Sequence, residues 1–229
     1  MVDLTPLKGM PLVELTLVDC EVRDLGPLKG MALRKLFLSG SKVVDLSPLS
    51  EMTSLTDLKM AACWDLYDFG PLRALRNLKV LDIENTPVED ISPLRGMSLT
   101  ILNMSRTRVS DLKPLAGMPL IRLTCSATPV TDFAPLAGAP LMMLVVENTQ
   151  FRDLTVLRGL PLEILALGGC NEARGFAALG KMKLLNTLIL PEKILELPYE
   201  ELRAIEALRS HPTLTQIQMS MGRGLVSVD

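Results

Sequence analysis

The stretch Leu78-Lys79-Val80-Leu81-Asp82-Ile83-Glu84-Asn85-Thr86-Pro87-Val88-Glu89-Asp90-Ile91-Ser92-Pro93-Leu94 changes its character halfway along. Its first part, Leu78-x-x-Leu81-x-Ile83, ends in strict alternation, the pattern of a short strand with one face buried. Its second part, Val88-x-Asp90-Ile91-x-Pro93-Leu94, has no alternation. There the aspartate can accept backbone N–H groups at the start of a helical turn, and proline is tolerated in the first turn.

The same wording recurs along the chain, and such self-similarity outranks any local signal. Units begin at Met1, Val22, Val43, Leu66, Val88, Val109, Val130 and Phe151, with a degenerate unit from Ala173. From Val22 the steps are 21, 23, 22, 21, 21, 21 and 22 residues. The consensus is V-x-D-L-x-P-L-x-G-M-P-L-x-x-L-x-L-x-x-T-x. A strand and a loop consume most of each period, so the turn after the aspartate is predicted to be a single 3₁₀ piece. The glycines that follow it (Gly9, Gly30, Gly96, Gly117, Gly138, Gly159) suit a left-handed stop. Successive strands then lie side by side as a parallel sheet about 4.8 Å apart.

These units resemble bacterial leucine-rich repeats, and the stretch quoted above looks like an internalin-type repeat. The resemblance covers roughly residues 1–190. It implies an α/β fold, a right-handed leucine-rich repeat solenoid with a parallel β-sheet on the concave face and short 3₁₀ turns on the convex face. The K-G-M-P-L wording is also similar to repeat regions of planctomycete proteins, some attached to serine/threonine kinases. In one slot the chain departs from the family: where asparagine often closes the strand, it has Cys20, Ser41, Cys63, Thr86, Thr107, Thr128, Thr149 and Cys170. Hydroxyls there can satisfy loop carbonyls that burial would otherwise leave unpaired.

The array is expected over residues 1–191, in eight to nine units, with a C-terminal cap over 192–229. The cap comprises a helix at about 198–209, a last strand at about 214–219, and a tail containing Gly222-Arg223-Gly224. Tyr199, Leu202, Ile205 and Leu208 recur every three residues and form the stripe that the helix would bury. Only Val2 separates Met1 from Asp3-Leu4-Thr5-Pro6-Leu7, so the first repeat's core is expected to face solvent, an upstream domain or another copy stacked end to end.

Composition narrows the function. Aromatic residues make up 3% of the chain and the net charge is −2, a poor basis for holding a phosphate backbone or stacking bases. Nucleic acid is therefore not expected as a partner. The longest apolar runs, such as Leu141 to Val146, fall far short of the roughly 18–20 residues of a membrane span. No basic segment followed by an apolar run opens the chain, so no secretory leader is expected and the compartment is read as cytoplasmic.

No residue set carries catalysis, a cofactor or a metal. Cys20, Cys63 and Cys170 share one slot in different units, and Cys125 occupies an inward strand slot. The nearest pair in that slot, Cys20 and Cys63, is two repeats apart, roughly 10 Å, too far for a disulfide. The aspartate column (Asp3, Asp24, Asp45, Asp68, Asp90, Asp111, Asp132, Asp153) is read as caps, because calcium would need several oxygens converging in each unit. The single histidine, His211, precedes Pro212 in a turn and excludes paired-histidine metal motifs.

The outward strand positions are free of scaffold constraint. One column reads Glu14, Lys35, Asp57, Val80, Ile101, Arg122, Met143, Ile164, Thr187; the next reads Thr16, Phe37, Lys59, Asp82, Asn103, Thr124, Val145, Ala166, Ile189. The apolar group Val80, Ile101, Met143, Val145, Ile164 and Ala166, with Arg122 inside it, marks a candidate partner surface. Phe37 and the lone Trp64 are further candidates; Trp64 sits in the longest repeat, with Tyr67 just beyond it. The reading is a non-catalytic module that binds a protein partner through the concave sheet face. The alternatives are a regulatory region of a larger enzyme such as a serine/threonine kinase, and a self-assembling repeat protein. The register predicts that thiol titration after denaturation without reductant finds four free groups. Two fewer would break the assigned register.

Overall fold

The structure, a computed structural model, describes residues 2–219. Met1 and the segment holding Gly222-Arg223-Gly224 lie outside the described residues. Ten strands form one parallel sheet in chain order. They are β1 (Glu14–Thr16), β2 (Lys35–Phe37), β3 (Asp57–Lys59), β4 (Val80–Asp82), β5 (Ile101–Asn103), β6 (Arg122–Thr124), β7 (Met143–Val145), β8 (Ile164–Ala166), β9 (Thr187–Leu190) and β10 (Gln216–Met219). Between them the chain returns through 3₁₀ turns, from Thr5–Leu7 to Phe176–Lys181. The architecture is the expected leucine-rich repeat solenoid.

Each of β1 to β9 places a leucine inward, and the register stacks Leu15, Leu36, Leu58, Leu81, Leu102, Leu123, Leu144, Leu165 and Leu188 in one row. From Leu36 onward this row is buried. Half of the eight aromatic residues sit on the turn side of the core: Phe69, Phe133, Phe151 and Phe176 are fully buried. Phe133 and Phe151 meet edge to face at 4.6 Å.

All eight aspartates of the column cap their turns. In each, Oδ1 accepts the backbone N–H two residues on, at 2.7–2.9 Å. At Asp3, Asp45 and Asp153 the hydroxyl of that same residue, and then its N–H, holds the carboxyl below its ordinary range. At Asp90 the N–H of Ser92 leads and its hydroxyl follows.

The strand-closing slot also behaves as read. The Thr86, Thr107, Thr128 and Thr149 hydroxyls donate to the carbonyl three residues back at 2.7–2.8 Å, and all four are buried. Cys63 and Cys170 donate instead to carbonyls of the preceding repeat, Leu38 O and Val146 O. The residue just before this slot turns the chain out of the strand with positive φ: Asp19, Ala62, Asn85, Arg106, Ala127 and Asn148 at 53–58°, Gly40 and Gly169 at 72–73°. Gly40 is doubly constrained, since a Cβ there would run into the Asp19 side chain.

The C-terminal helix is shorter than its apolar spacing suggested. Helix α1 spans Tyr199–Glu206 and continues as a 3₁₀ turn, Ala207–Ser210. It packs on the ninth repeat's turn, Phe176–Lys181. The Glu201 carboxylate accepts the N–H groups of Gly175 and Phe176 at 2.8 and 3.0 Å, supplying the cap that this repeat lacks an aspartate to make. Leu208 is buried, and Leu202 and Ile205 pack against the core. Tyr199 does not join the stripe; it is 72% exposed, with the Arg203 guanidinium 5.8 Å above its ring. The last strand extends the sheet, but Ile217 and Met219 are about half exposed (49% and 51%), so the core is covered by the helix rather than by β10. At the other end, Leu12, Leu15 and Leu17 are only half-buried, whereas Leu33, Leu36 and Leu38 one repeat on are fully buried.

Leu208→Asp places a carboxylate where a buried leucine closes the ninth repeat, at a cost of about 3 kcal/mol or more. Limited proteolysis should then cut within residues 174–219 first, because a repeat is held mainly by its neighbours. Cleavage indistinguishable from the parent chain would remove the capping role.

Candidate functional site

Three outward columns line the strands. The first pairs Val80, Ile101, Arg122, Met143 and Ile164 in direct register across β4 to β8. Val80, Ile101, Met143 and Ile164 are half-buried, and Arg122 is exposed with no ion pair among the described residues. The structure thus brings together these five of the expected residues.

It separates the others. Val145 (4% exposed) and Ala166 (0%) are buried rather than displayed, and with Ile189 they form a small core of their own, against which Met143 packs. Parallel strands about 4.8 Å apart set side chains of equal register against each other. The small Ala166 is closed over by Val145 and Ile189 on either side. These two residues are therefore the platform beneath the surface and not the surface.

Phe37 lies toward the other end of the sheet, with the Lys59 ammonium 5.4 Å from its ring centre. Trp64 is on no strand. It is 56% exposed and lines a hollow of about 180 Å³ with Asn85, Thr86, Pro87, Arg106 and Arg108, on the flank where the strands end.

A third column was hidden by the alternation argument. Ile121 and Met142 are 37% and 38% exposed, although each immediately precedes an outward strand residue. The cause is a bulge-like entry to the strand. Thr100 O accepts both Ile121 N and Arg122 N (2.8 and 3.1 Å), and Ile121 O accepts both Met142 N and Met143 N (2.9 and 3.1 Å). Two consecutive side chains then face outward. Aligning this column (Val13, Arg34, Thr56, Lys79, Thr100, Ile121, Met142, Glu163) leaves three apolar members, Val13 in the first repeat and the adjacent pair Ile121 and Met142, a signal the repeat register contains.

The other end of the concave face is polar. Lys35 and Glu14 approach to 3.8 Å. Burial pushes the Asp82 carboxyl up; the Glu84 N–H donated to it opposes this, and the Glu84 charge adds to it. Asn103 Nδ2 donates to Glu84 Oε2 at 3.0 Å.

The remaining chemistry is structural. All four cysteines are free thiols. Burial pushes the Cys63, Cys125 and Cys170 thiols up, keeping them protonated and unreactive. His211 Nδ1 accepts the Leu214 N–H at 3.2 Å, so the ring braces the turn. Among the described residues no group of three or more His, Cys, Asp or Glu could hold a metal ion. No helix of the described residues is long and apolar enough to cross a membrane.

Neither a protein-family model nor a curated protein matches the sequence. Solved structures do. An internalin from Listeria monocytogenes str. 4b F2365 (inlF) is 28% identical with a TM-score of 0.85, over 97% of this chain and 67% of its own. Internalin C2 (inlC2) from the same strain is 32% identical with a TM-score of 0.66, over 68% of this chain and 71% of its own. The chain belongs to the internalin-type leucine-rich repeat proteins. A more distant likeness, TLR13 in complex with ssRNA13, is 16% identical with a TM-score of 0.53 over 88% of this chain and 38% of its own, and shares the fold alone. In this internalin-type chain the surface-bearing strands β4 to β8 are the most regularly spaced part of the array.

The ionised Asp82 costs the folded state free energy once the unfolded carboxyl would have lost its proton. That penalty grows as pH rises above about 3.9 and is absent below it. Asp82→Asn should therefore melt higher than the parent at pH 7, with the difference vanishing near pH 3.5. An equal difference at both pH values would show that the carboxyl carries no such penalty.

Proposed function

We propose that this internalin-type chain binds a protein partner on its concave side through Val80, Ile101, Ile121, Met142, Met143 and Ile164, with Arg122 as the one charge inside the apolar area. The observation that carries this reading is the pair Ile121 and Met142: large apolar side chains, more than a third exposed, side by side at the entries to β6 and β7. No scaffold role requires them, since the core rows on the opposite face are complete without them. Contiguous exposed apolar groups on a soluble scaffold mark interaction sites, and methionine and arginine are enriched in such interfaces. The five strands β4 to β8 span roughly 20 Å at about 4.8 Å per step. That suits a good part of a footprint of about 800 Å² per partner. Val145 and Ala166 hold Met143 in place from below. The polar end with Lys35, Asp57 and Lys59 adds steering of encounter rather than buried contact. Phe37 and Trp64 lie apart from this area and are not assigned to it.

The test is the triple variant Ile101→Asp, Ile121→Asp, Met142→Asp against a convex-face control, Lys8→Glu with Arg95→Glu. The exposed positions make a small loss of stability the expected cost, checked by thermal melting. Partner capture by the folded triple variant should fall about tenfold or more, since each added carboxylate must be desolvated on binding. A folded triple variant that captures as the parent does, while the control loses capture, would place binding on the convex side.

A further inference from the structure

One hollow among the described residues lies on neither face of the sheet. It is about 490 Å³ and lies on the flank where the turns of the eighth and ninth repeats lead into β8 and β9. Its walls are Arg158, Gly159, Leu160 and Pro161 from one repeat and Ala178, Lys181, Met182, Lys183 and Leu184 from the next.

Its origin is a mismatch between neighbouring repeats. In the eighth, a turn at Leu154–Leu157 is stopped by Arg158 and left-handed Gly159 (φ +84°). In the ninth the turn runs on for six residues, Phe176–Lys181, with no left-handed glycine to end it. The two bends differ in length and ending, and a space remains between the chain segments that follow them. It is also held open: the Thr213 hydroxyl, beyond the C-terminal helix, donates to the carbonyls of Lys183 (3.1 Å) and Leu185 (2.9 Å), fixing one wall.

The lining has a definite chemistry. The floor is apolar: Leu160, Met182 and Ala178 are nearly buried, and Leu184 lies 51% exposed. The rim carries three exposed cations, Arg158, Lys181 and Lys183, and no carboxylate belongs to the lining. None of the three is in an ion pair among the described residues. Three separated positive charges around an apolar floor match several carboxylates around one apolar side chain better than a single anionic head group.

We infer that this hollow is a second binding site, which takes a short acidic peptide segment of a partner with one apolar side chain on the floor and its carboxylates on Arg158, Lys181 and Lys183. The site is separate from the concave area, so variants in either leave the other reading testable.

The probe is the peptide fluorescein-Glu-Asp-Leu-Glu-Asp-amide, labelled at its N-terminus, read by fluorescence anisotropy with the whole chain at about 50 mM salt, where screening is modest. Binding with a Kd below about 1 mM is expected. It should weaken about tenfold or more in Lys181→Glu with Lys183→Glu. The Gln/Asn version of the peptide should bind as poorly, and replacing its leucine by alanine should cost several-fold, as loss of a buried leucine does. Leu184→Ser tests the floor without touching charge and should weaken the acidic peptide too. No binding up to about 1 mM, equal binding of the neutral peptide, or binding unchanged by both variants would overturn the proposal. So would cosedimentation with phosphatidylserine vesicles in the absence of peptide binding, which would make the hollow a lipid contact.

Discussion

No repeat of this chain can bury its own core, so everything rests on the lateral hydrogen bonds that tie each coil to the next. Those bonds are not confined to the three- or four-residue strands. Beyond each strand the ladder runs on through the left-handed corner: Gly40 N donates to Ala61 O, Ala62 N to Glu84 O, Asn85 N to Ser105 O, Arg106 N to Ser126 O and Ala127 N to Glu147 O, all at 2.8 Å. The corner is therefore a structural element equal to the strand. Its cost is a backbone conformation that L-residues disfavour by roughly 1–2 kcal/mol, which Gly40 and Gly169 avoid and Ala62, Arg106 and Ala127 bear. The closing slot makes the corner tolerable by satisfying a carbonyl inside it with a threonine hydroxyl or a cysteine thiol.

Much of this was legible in the repeat wording. The aspartate column reads as caps because a carboxylate directly before a proline-containing turn has N–H groups to accept. The closing slot reads as inward because its members are small and, where polar, carry one hydroxyl. Other features were opaque for physical reasons. Strict alternation puts Ile121 and Met142 on the wrong side, because a shared acceptor at the strand entry is invisible in hydropathy. The same argument displays Val145 and Ala166 outward without revealing that lateral neighbours close over them. Tyr199 fits the helical spacing of Leu202, Ile205 and Leu208, yet it lies at the first residue of α1 and faces solvent. The left-handed corner could have been suspected from Asp19, Gly40, Asn85, Asn148 and Gly169, residue types that accept positive φ, but alanine and arginine in the same column blur the signal.

A regular scaffold makes its irregularities informative. The concave apolar row uses the most evenly spaced repeats, where side chains in register can present one continuous area. The cationic hollow and the Trp64 corner instead occur where the repeat length changes, since a longer turn or loop leaves space that its neighbour cannot fill. The first kind of surface suits a broad partner, and the second suits a short segment inserted sideways.

The dependence on a ladder that includes the corners is most directly tested by residue-resolved amide exchange on the native chain. Amides of Ala62, Asn85, Arg106 and Ala127 should be protected to within about tenfold of the strand amides Leu81 and Leu102, a difference of about 1.4 kcal/mol. Exchange at those corners as fast as in an unstructured peptide, with the strand amides still protected, would contradict the account.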